Sequence, residues 1–231
     1  MKAVRILAVL TGRAAPLGDS GTVSGIAKRR RPGSVRVGIL GLAGDEQGDV
    51  VHHGGPEKAI HHYPYDHYAP WSAEIAPPSA LLASPGAFGE NISTLGLTEQ
   101  QICLGDIYRL GSAIVQVSQG RQPCWRLNRR FGRGVMAREM QSTGRTGWYY
   151  RVHQAGHVAE GDDLSLLDRP CPAWPLVRVI DLLYRDTLDR NRLESLRDSP
   201  YCPPSWRKLV ERRLATGAVE SWQSRLSGGE D

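Results

Sequence analysis

Gly105-Asp106-Ile107-Tyr108-Arg109-Leu110-Gly111-Ser112-Ala113-Ile114-Val115-Gln116-Val117-Ser118 sets two short β-rich runs, Ile107 to Leu110 and Ile114 to Ser118, behind a Gly-Asp turn. Similar runs lie at Val4 to Leu10, Val35 to Ile39, Thr146 to His153 and Leu164 to Leu167. Their lengths suit strands of a meandering sheet. Gly-Asp recurs at 44-45, 48-49 and 161-162, and the copies at 105-106 and 161-162 directly precede strand-like runs, as turns between barrel strands would. A β-barrel or bent sheet is the economical reading. Two helical segments interrupt it. One is Pro64 to Ile75, with Tyr68, Trp71 and Ile75 spaced by 3 and 4; the other is Cys124 to Met140, broken at Gly132 and Gly134.

The expected fold class is therefore α+β, mainly β, with peripheral helices. Past Arg169 the texture changes. Pro170, Pro172 and Pro175 form a stiff connector, and the apolar residues then follow a helical period. The division is a β-barrel domain over 1-169 and a small helical domain over 170-231. Val177, Ile180, Leu183 and Tyr184 mark one helix; Trp206, Leu209, Val210 and Leu214 mark a second that ends at Gly217; Val219, Trp222 and Leu226 mark a third.

With 231 residues and 40% apolar content the chain can bury a real core, which argues against intrinsic disorder. No apolar run reaches the roughly 20 residues of a membrane-spanning helix or forms a signal-peptide core, so the chain is read as cytoplasmic, with no membrane partner. Cysteines at 103, 124, 171 and 202 form no C-x-x-C pair and no disulfide framework. The net charge of +5 is unevenly spread: residues 121 to 151 carry 8 basic groups and 1 acidic group, whereas 49 to 120 carry 2 and 7. The sharpest positive segment surrounds Cys124.

Cys124 follows an apolar strand and Pro123, at a predicted helix start, with Arg121, Arg126, Arg129 and Arg130 nearby. Helix dipole and cations favour its thiolate, a nucleophile or soft-metal ligand, although a buried structural thiol is the commoner fate of a cysteine. Cys103, Cys171 and Cys202 lack this environment. His52, His53, His61, His62 and His67 fall within 16 residues, but adjacent pairs point to opposite faces of a strand, and the spacing does not describe a metal site. His53 precedes Gly54-Gly55-Pro56, a turn whose backbone can approach a ligand. Asn91, in Gly89-Glu90-Asn91, offers a donor and an acceptor to a heterocycle edge, or fastens a tight turn. Gly132-x-Gly134-x-x-Ala137 follows no strand and is not a dinucleotide loop. Lys28 to Arg31, before Pro32-Gly33, reads as a solvated loop rather than a nucleic-acid contact.

Together these segments resemble MOSC domains, named for the C-terminal domain of molybdenum cofactor sulfurase, and within them the bacterial YiiM-like subgroup. The likeness rests on Gly41-Leu42-x-Gly44-Asp45-Glu46-Gln47, His53-Gly54-Gly55-Pro56, Tyr63-Pro64-x-x-His67-Tyr68-x-x-Trp71, Phe88-Gly89-Glu90-Asn91-x-Ser93-Thr94, Gln116-Val117-Ser118-Gln119-x-Arg121-x-Pro123-Cys124 and Thr143-Gly144-x-x-Gly147-Trp148. It implies a MOSC-type β-barrel whose tail is the subgroup's three-helix region. It also implies that Cys124 is the metal ligand in a molybdenum cofactor, a molybdopterin-bound molybdenum. Arg121, Arg126 and Lys58 are the implied anion contacts, and Ser118, Asn91 and His53 the implied pterin shell. The implied activity is detoxifying reduction of small N-hydroxylated molecules, N-hydroxylated purine bases among them, from N-OH to N-H, with Asp45 and His53 as proton groups. No flavin, nicotinamide or iron-sulfur pattern is present, so electrons are expected from a separate flavin or iron-sulfur reductase. Two other readings use the same residues: a sulfur carrier or sulfurtransferase with a Cys124 persulfide, and a non-catalytic cofactor carrier. The tryptophans of the tail serve packing or a homodimer contact.

Overall fold

The structure, a computed structural model, describes residues 3–18, 21–49 and 54–228. Seven strands close into a barrel: β1 (Val4–Thr11), β2 (Ile60–His62), β3 (Ile92–Thr94), β4 (Ile107–Leu110), β5 (Ala113–Gly120), β6 (Trp148–Gln154) and β7 (Asp163–Asp168). Their order is β7-β4-β5-β6-β2-β3-β1, and β1 returns to β7 with Val4 opposite Leu164. All neighbours run antiparallel except β2 and β3, whose parallel pairing is possible because helical turns cross between them. Arg29–Arg30 extends the sheet beside β1.

The strand chemistry explains the layout. In β4, Tyr108 and Leu110 turn into the core while Arg109 is exposed, the period-two alternation of a one-sided strand. β5 is buried along nearly its whole length because helices cover its outer side. At Gly120 an added Cβ would stand 3.5 Å from Trp206 and 3.8 Å from Ile180. β6 begins at Trp148 rather than Thr146, since Gly147 has φ +68° and an added Cβ would lie 2.4 Å from the His62 carbonyl oxygen.

Seven α-helices occur among the described residues. α1 (Tyr68–Glu74), α2 (Arg126–Phe131) and α3 (Met136–Thr143) belong to the barrel half. The last two end on left-handed Gly132 and Gly144. α4 (Leu176–Tyr184), α5 (Arg190–Asp198), α6 (Pro204–Thr216) and α7 (Gln223–Ser227) follow. One hydrophobic cluster runs from the barrel interior into α4, α5 and α6 through Trp174, Leu196, Trp206 and Val210. A second gathers Tyr68, Trp71, Phe88, Leu127, Met136 and Leu226.

The helix expected over Val219–Leu226 is therefore not the third member of the tail unit. That member is α5, whose face is polar apart from Leu193 and Leu196 and whose start is capped by the Asp189 side chain, which accepts from the Arg192 N–H at 3.0 Å. α7 instead crosses back and buries Leu226 beside the barrel's own helices. Among the described residues no helix is long and apolar enough to cross a membrane.

Candidate functional site

Cys124 sits in an irregular loop between β5 and α2, and the loop is tied down at both ends. On one side the Arg121 N–H donates to the Gly147 carbonyl at 3.0 Å and Arg121 Nη1 to the Phe88 carbonyl at 2.6 Å. On the other, Arg225 Nη1 donates to the Pro123 carbonyl at 2.5 Å, and the Trp125 N–H donates to the Arg225 carbonyl at 2.8 Å. Asn128 Nδ2 adds a bond to the Leu226 carbonyl at 2.8 Å. Cys124 is 7% exposed and opens into a cleft of about 590 Å³, mouth included.

Of the residues picked out from sequence, Asp45, Lys58, Asn91, Arg121, Cys124 and Arg126 all line this cleft. Four of its walls are cationic: Lys28, Lys58, Arg121 and Arg126. Arg126 meets Asp49 at 3.3 Å, and Lys28 forms a buried ion pair with Asp45. Burial lowers the Lys28 pKa from its ordinary value, against the opposing pull of Asp45. Burial also lowers that of Lys58, while Cys124 and Asp49 pull it up, so the Lys58 ammonium and the Cys124 sulfur share one local field.

The amide of Asn91 is committed to the scaffold. Its Oδ1 accepts from the His61 N–H at 3.0 Å, and its Nδ2 donates to the Leu10 carbonyl at 3.1 Å and to Asp45 Oδ2 at 2.8 Å. Asp45 Oδ1 also accepts from the Gly12 N–H at 2.9 Å. Ser118 is not brought to the cleft. It lies beneath it, where its hydroxyl donates to the Glu57 carbonyl at 2.6 Å. Glu57 also pairs with Arg151 at 2.6 Å. These two ties fix the short turn Pro56–Lys58 and thereby aim Lys58. His53 lies outside the described residues.

Lys28, His61 and Tyr149 are among the lining residues that the sequence reading did not assign to the site. Lys28 was grouped with the exposed arginines after it, yet Ser24, Ile26 and Lys28 alternate onto one inward face, a period-two signal that was available. His61 and Tyr149 lie tilted against each other, 5.0 Å between ring centroids, and both line the cleft. Burial, with Arg121 beside it, holds the His61 imidazole well below its ordinary pKa, and its Nε2 has no partner among the described residues. His62 faces the other way and is pushed down to about 3 by burial, between Tyr150 at 3.0 Å and Thr94 at 2.9 Å. Gly89 also lines the cleft at φ +75°, where an added Cβ would meet Ile26 at 2.8 Å. Among the described residues no group of three or more His, Cys, Asp or Glu could hold a metal ion; His52 and His53 lie outside them. Burial pushes the Cys103 and Cys202 thiols up to about 11, in keeping with inert structural cysteines.

Comparison with known proteins bears on the fold and the family. The profile described as "MOSC domain" matches residues 49–165, and "YiiM-like, 3-alpha helix domain" matches 174–217, a span that contains α4, α5 and α6. Protein YiiM of Escherichia coli is 38% identical over 208 residues, 90% of this chain and 92% of that protein. The crystal structure of YiiM from Escherichia coli superposes with a TM-score of 0.83 at 31% identity, covering 99% of this chain and 100% of that one. A protein of Gibberella moniliformis named "Reductase" is 38% identical over 77% of this chain, which corresponds to 31% of that longer protein. The two profile matches, the identity to YiiM over nine-tenths of both chains and the shared overall fold together show that the chain belongs to the MOSC-domain family, in its YiiM-like branch.

Proposed function

We propose that this protein is a molybdenum-cofactor-dependent reductase of small N-hydroxylated compounds, N-hydroxylated purine bases among them, with Cys124 as the protein's ligand to molybdenum. The observation that carries the reading is the convergence of one thiol with Lys28, Lys58, Arg121 and Arg126 in a single cleft. Such a donor set fits a phosphate-bearing pterin whose metal receives its other soft donors from the cofactor itself. The family membership and the relative named as a reductase point the same way.

In this reading Lys58 and Arg121 hold the anionic end of the cofactor, Arg126 and Lys28 support them, and Cys124 offers its thiolate to the metal. Ser118 acts from below by fixing the turn that carries Lys58. Asn91 acts by fastening Asp45 and the His61 backbone. When bound, the cofactor supplies the two-electron chemistry. The overall change is R–NHOH plus two electrons and two protons giving R–NH2 and water, with the electrons delivered by a separate flavin or iron-sulfur reductase. Asp45 works with Lys28 in proton delivery, since the two share one buried ion pair; His53 is the other proton group.

Elemental analysis tests this on protein purified from a host that makes molybdenum cofactor. Near one molybdenum per chain in wild type, lost in a folded Cys124→Ala, is the expected result. Stoichiometric molybdenum in Cys124→Ala would overturn the ligand assignment. No molybdenum in either, with thiol-labile sulfur on Cys124, would make the protein a persulfide carrier. Molybdenum without reduction of any N-hydroxylated compound by any donor would make it a cofactor carrier.

A further inference from the structure

A second cleft adjoins the first. It holds about 1340 Å³, mouth included, and the two share Asp49, Lys58, Cys124, Arg126 and Tyr149. Its remaining wall brings the end of β5 against the C-terminal helices: Gln119 on one side, Ser205 of α6 and Ser224 and Arg225 of α7 on the other.

Gln119 gives this space its chemistry. The residue is 3% exposed, and its Oε1 accepts from Ser205 Oγ at 3.3 Å. Its Nε2 is buried and has no hydrogen-bond partner among the described residues. A buried amide N–H without an acceptor is costly, and native proteins keep such groups where a ligand or water takes them. The other polar groups of the lining are the Gln122 amide, the hydroxyls of Ser205 and Ser224 and the cations Lys58, Arg126 and Arg225; the one carboxylate of the cleft, Asp49, pairs with Arg126. A donor-rich wall of this kind suits a neutral ligand that carries acceptors and disfavours a cationic one.

We propose that this second cleft takes the N-hydroxylated substrate, as a neutral heterocycle whose ring nitrogen or carbonyl accepts from Gln119 Nε2 while its N–OH end lies toward Cys124. The identity of the substrate rests on the function proposed above; the cleft and its unmatched donor do not. The division of labour rests on what is particular to each wall: Lys28 and Arg121 belong to the first cleft and not the second, whereas the unmatched Gln119 amide, with the Ser205 and Ser224 hydroxyls, belongs to the second. On this reading the C-terminal helices build the substrate wall.

The test measures binding of hydroxylaminopurine by calorimetry on purified wild type, Ser224→Trp and Gln119→Leu, with molybdenum per chain determined on the same samples. Ser224 is exposed, so the indole fills the cleft without disturbing the core. Expected are a dissociation constant about tenfold weaker in each variant and molybdenum equal to wild type. Wild-type affinity in Ser224→Trp would overturn the cleft assignment, as would a wild type that binds no base at millimolar concentration. Unchanged affinity in Gln119→Leu alone would overturn the amide contact. Absence of molybdenum from wild type would count against the reductase reading and leave the binding result to decide the cleft.

Discussion

Asn91 Nδ2 lies 2.8 Å from Asp45 Oδ2, and through that contact a single buried amide joins β1, β2 and the Lys28–Asp45 ion pair into one hydrogen-bonded unit. Replacing it with leucine leaves the His61 N–H and the Leu10 carbonyl unmatched in the interior. Asn91→Leu is expected to lose about 2 to 4 kcal/mol of stability in urea unfolding. A loss under about 1 kcal/mol would mean that neighbouring groups replace the amide.

The ion pair itself makes a separate prediction. Lys28→Met strands a buried carboxylate and is expected to cost about 3 to 5 kcal/mol, much of which Lys28→Met with Asp45→Asn should recover. The check is a double-mutant cycle by denaturant unfolding. Additive single effects would show that the two residues are not coupled.

Buried His62 sets an acid limb. Its folded pKa of about 3 lies below the ordinary 6.5, so between those values the unfolded chain binds a proton that the folded one refuses. Stability is complete above about pH 6.5 and falls by up to about 1.4 kcal/mol per pH unit as pH drops toward 3. His62→Gln should flatten that decline, read from urea midpoints across pH. An unchanged slope would assign the acid sensitivity elsewhere.

Arg225 is predicted to control access to Cys124. Besides its bond to Pro123 it donates to Gln141 at 2.6 Å and lies over the Tyr184 ring at 5.7 Å. Arg225→Met frees the loop without leaving a buried charge. Alkylation of Cys124 by iodoacetamide, followed by mass spectrometry, should speed up about tenfold, while Cys103 and Cys202 keep their wild-type rates. Equal rates at Cys124 would show that α7 does not restrain the loop.

Legibility in the sequence followed the range of the forces involved. β4 was readable to the residue, because Ile107 to Leu110 is a local pattern bounded by Gly105 and Gly111. That Arg121 and Arg126 stand by Cys124 was readable because they lie within three positions of it; Arg129 and Arg130, equally basic in sequence, turn to the Trp125 ring and the Gly86 carbonyl instead. α5 was not, since Leu193 and Leu196 alone turn inward and the remaining residues are polar. Lys28 was masked by the charges after it, and a buried lysine is understandable only once Asp45 is seen across from it, 17 positions away. The occupied amide of Asn91 and the hydroxyl of Ser118 are likewise products of packing. From residue type alone, a side chain that lines a site cannot be told from one that braces it.

The position of α7 has a consequence for the order of assembly. β7 closes the barrel on β1 by residue 168, whereas the loop carrying Cys124 is pinned by Arg225, 102 positions beyond Pro123. A chain made from its N-terminus thus completes its barrel while this loop still lacks its final restraint. During synthesis the barrel and the cationic residues that precede the tail are in place before the cysteine segment receives its last tie, and in that interval the cleft beside Cys124 is least obstructed.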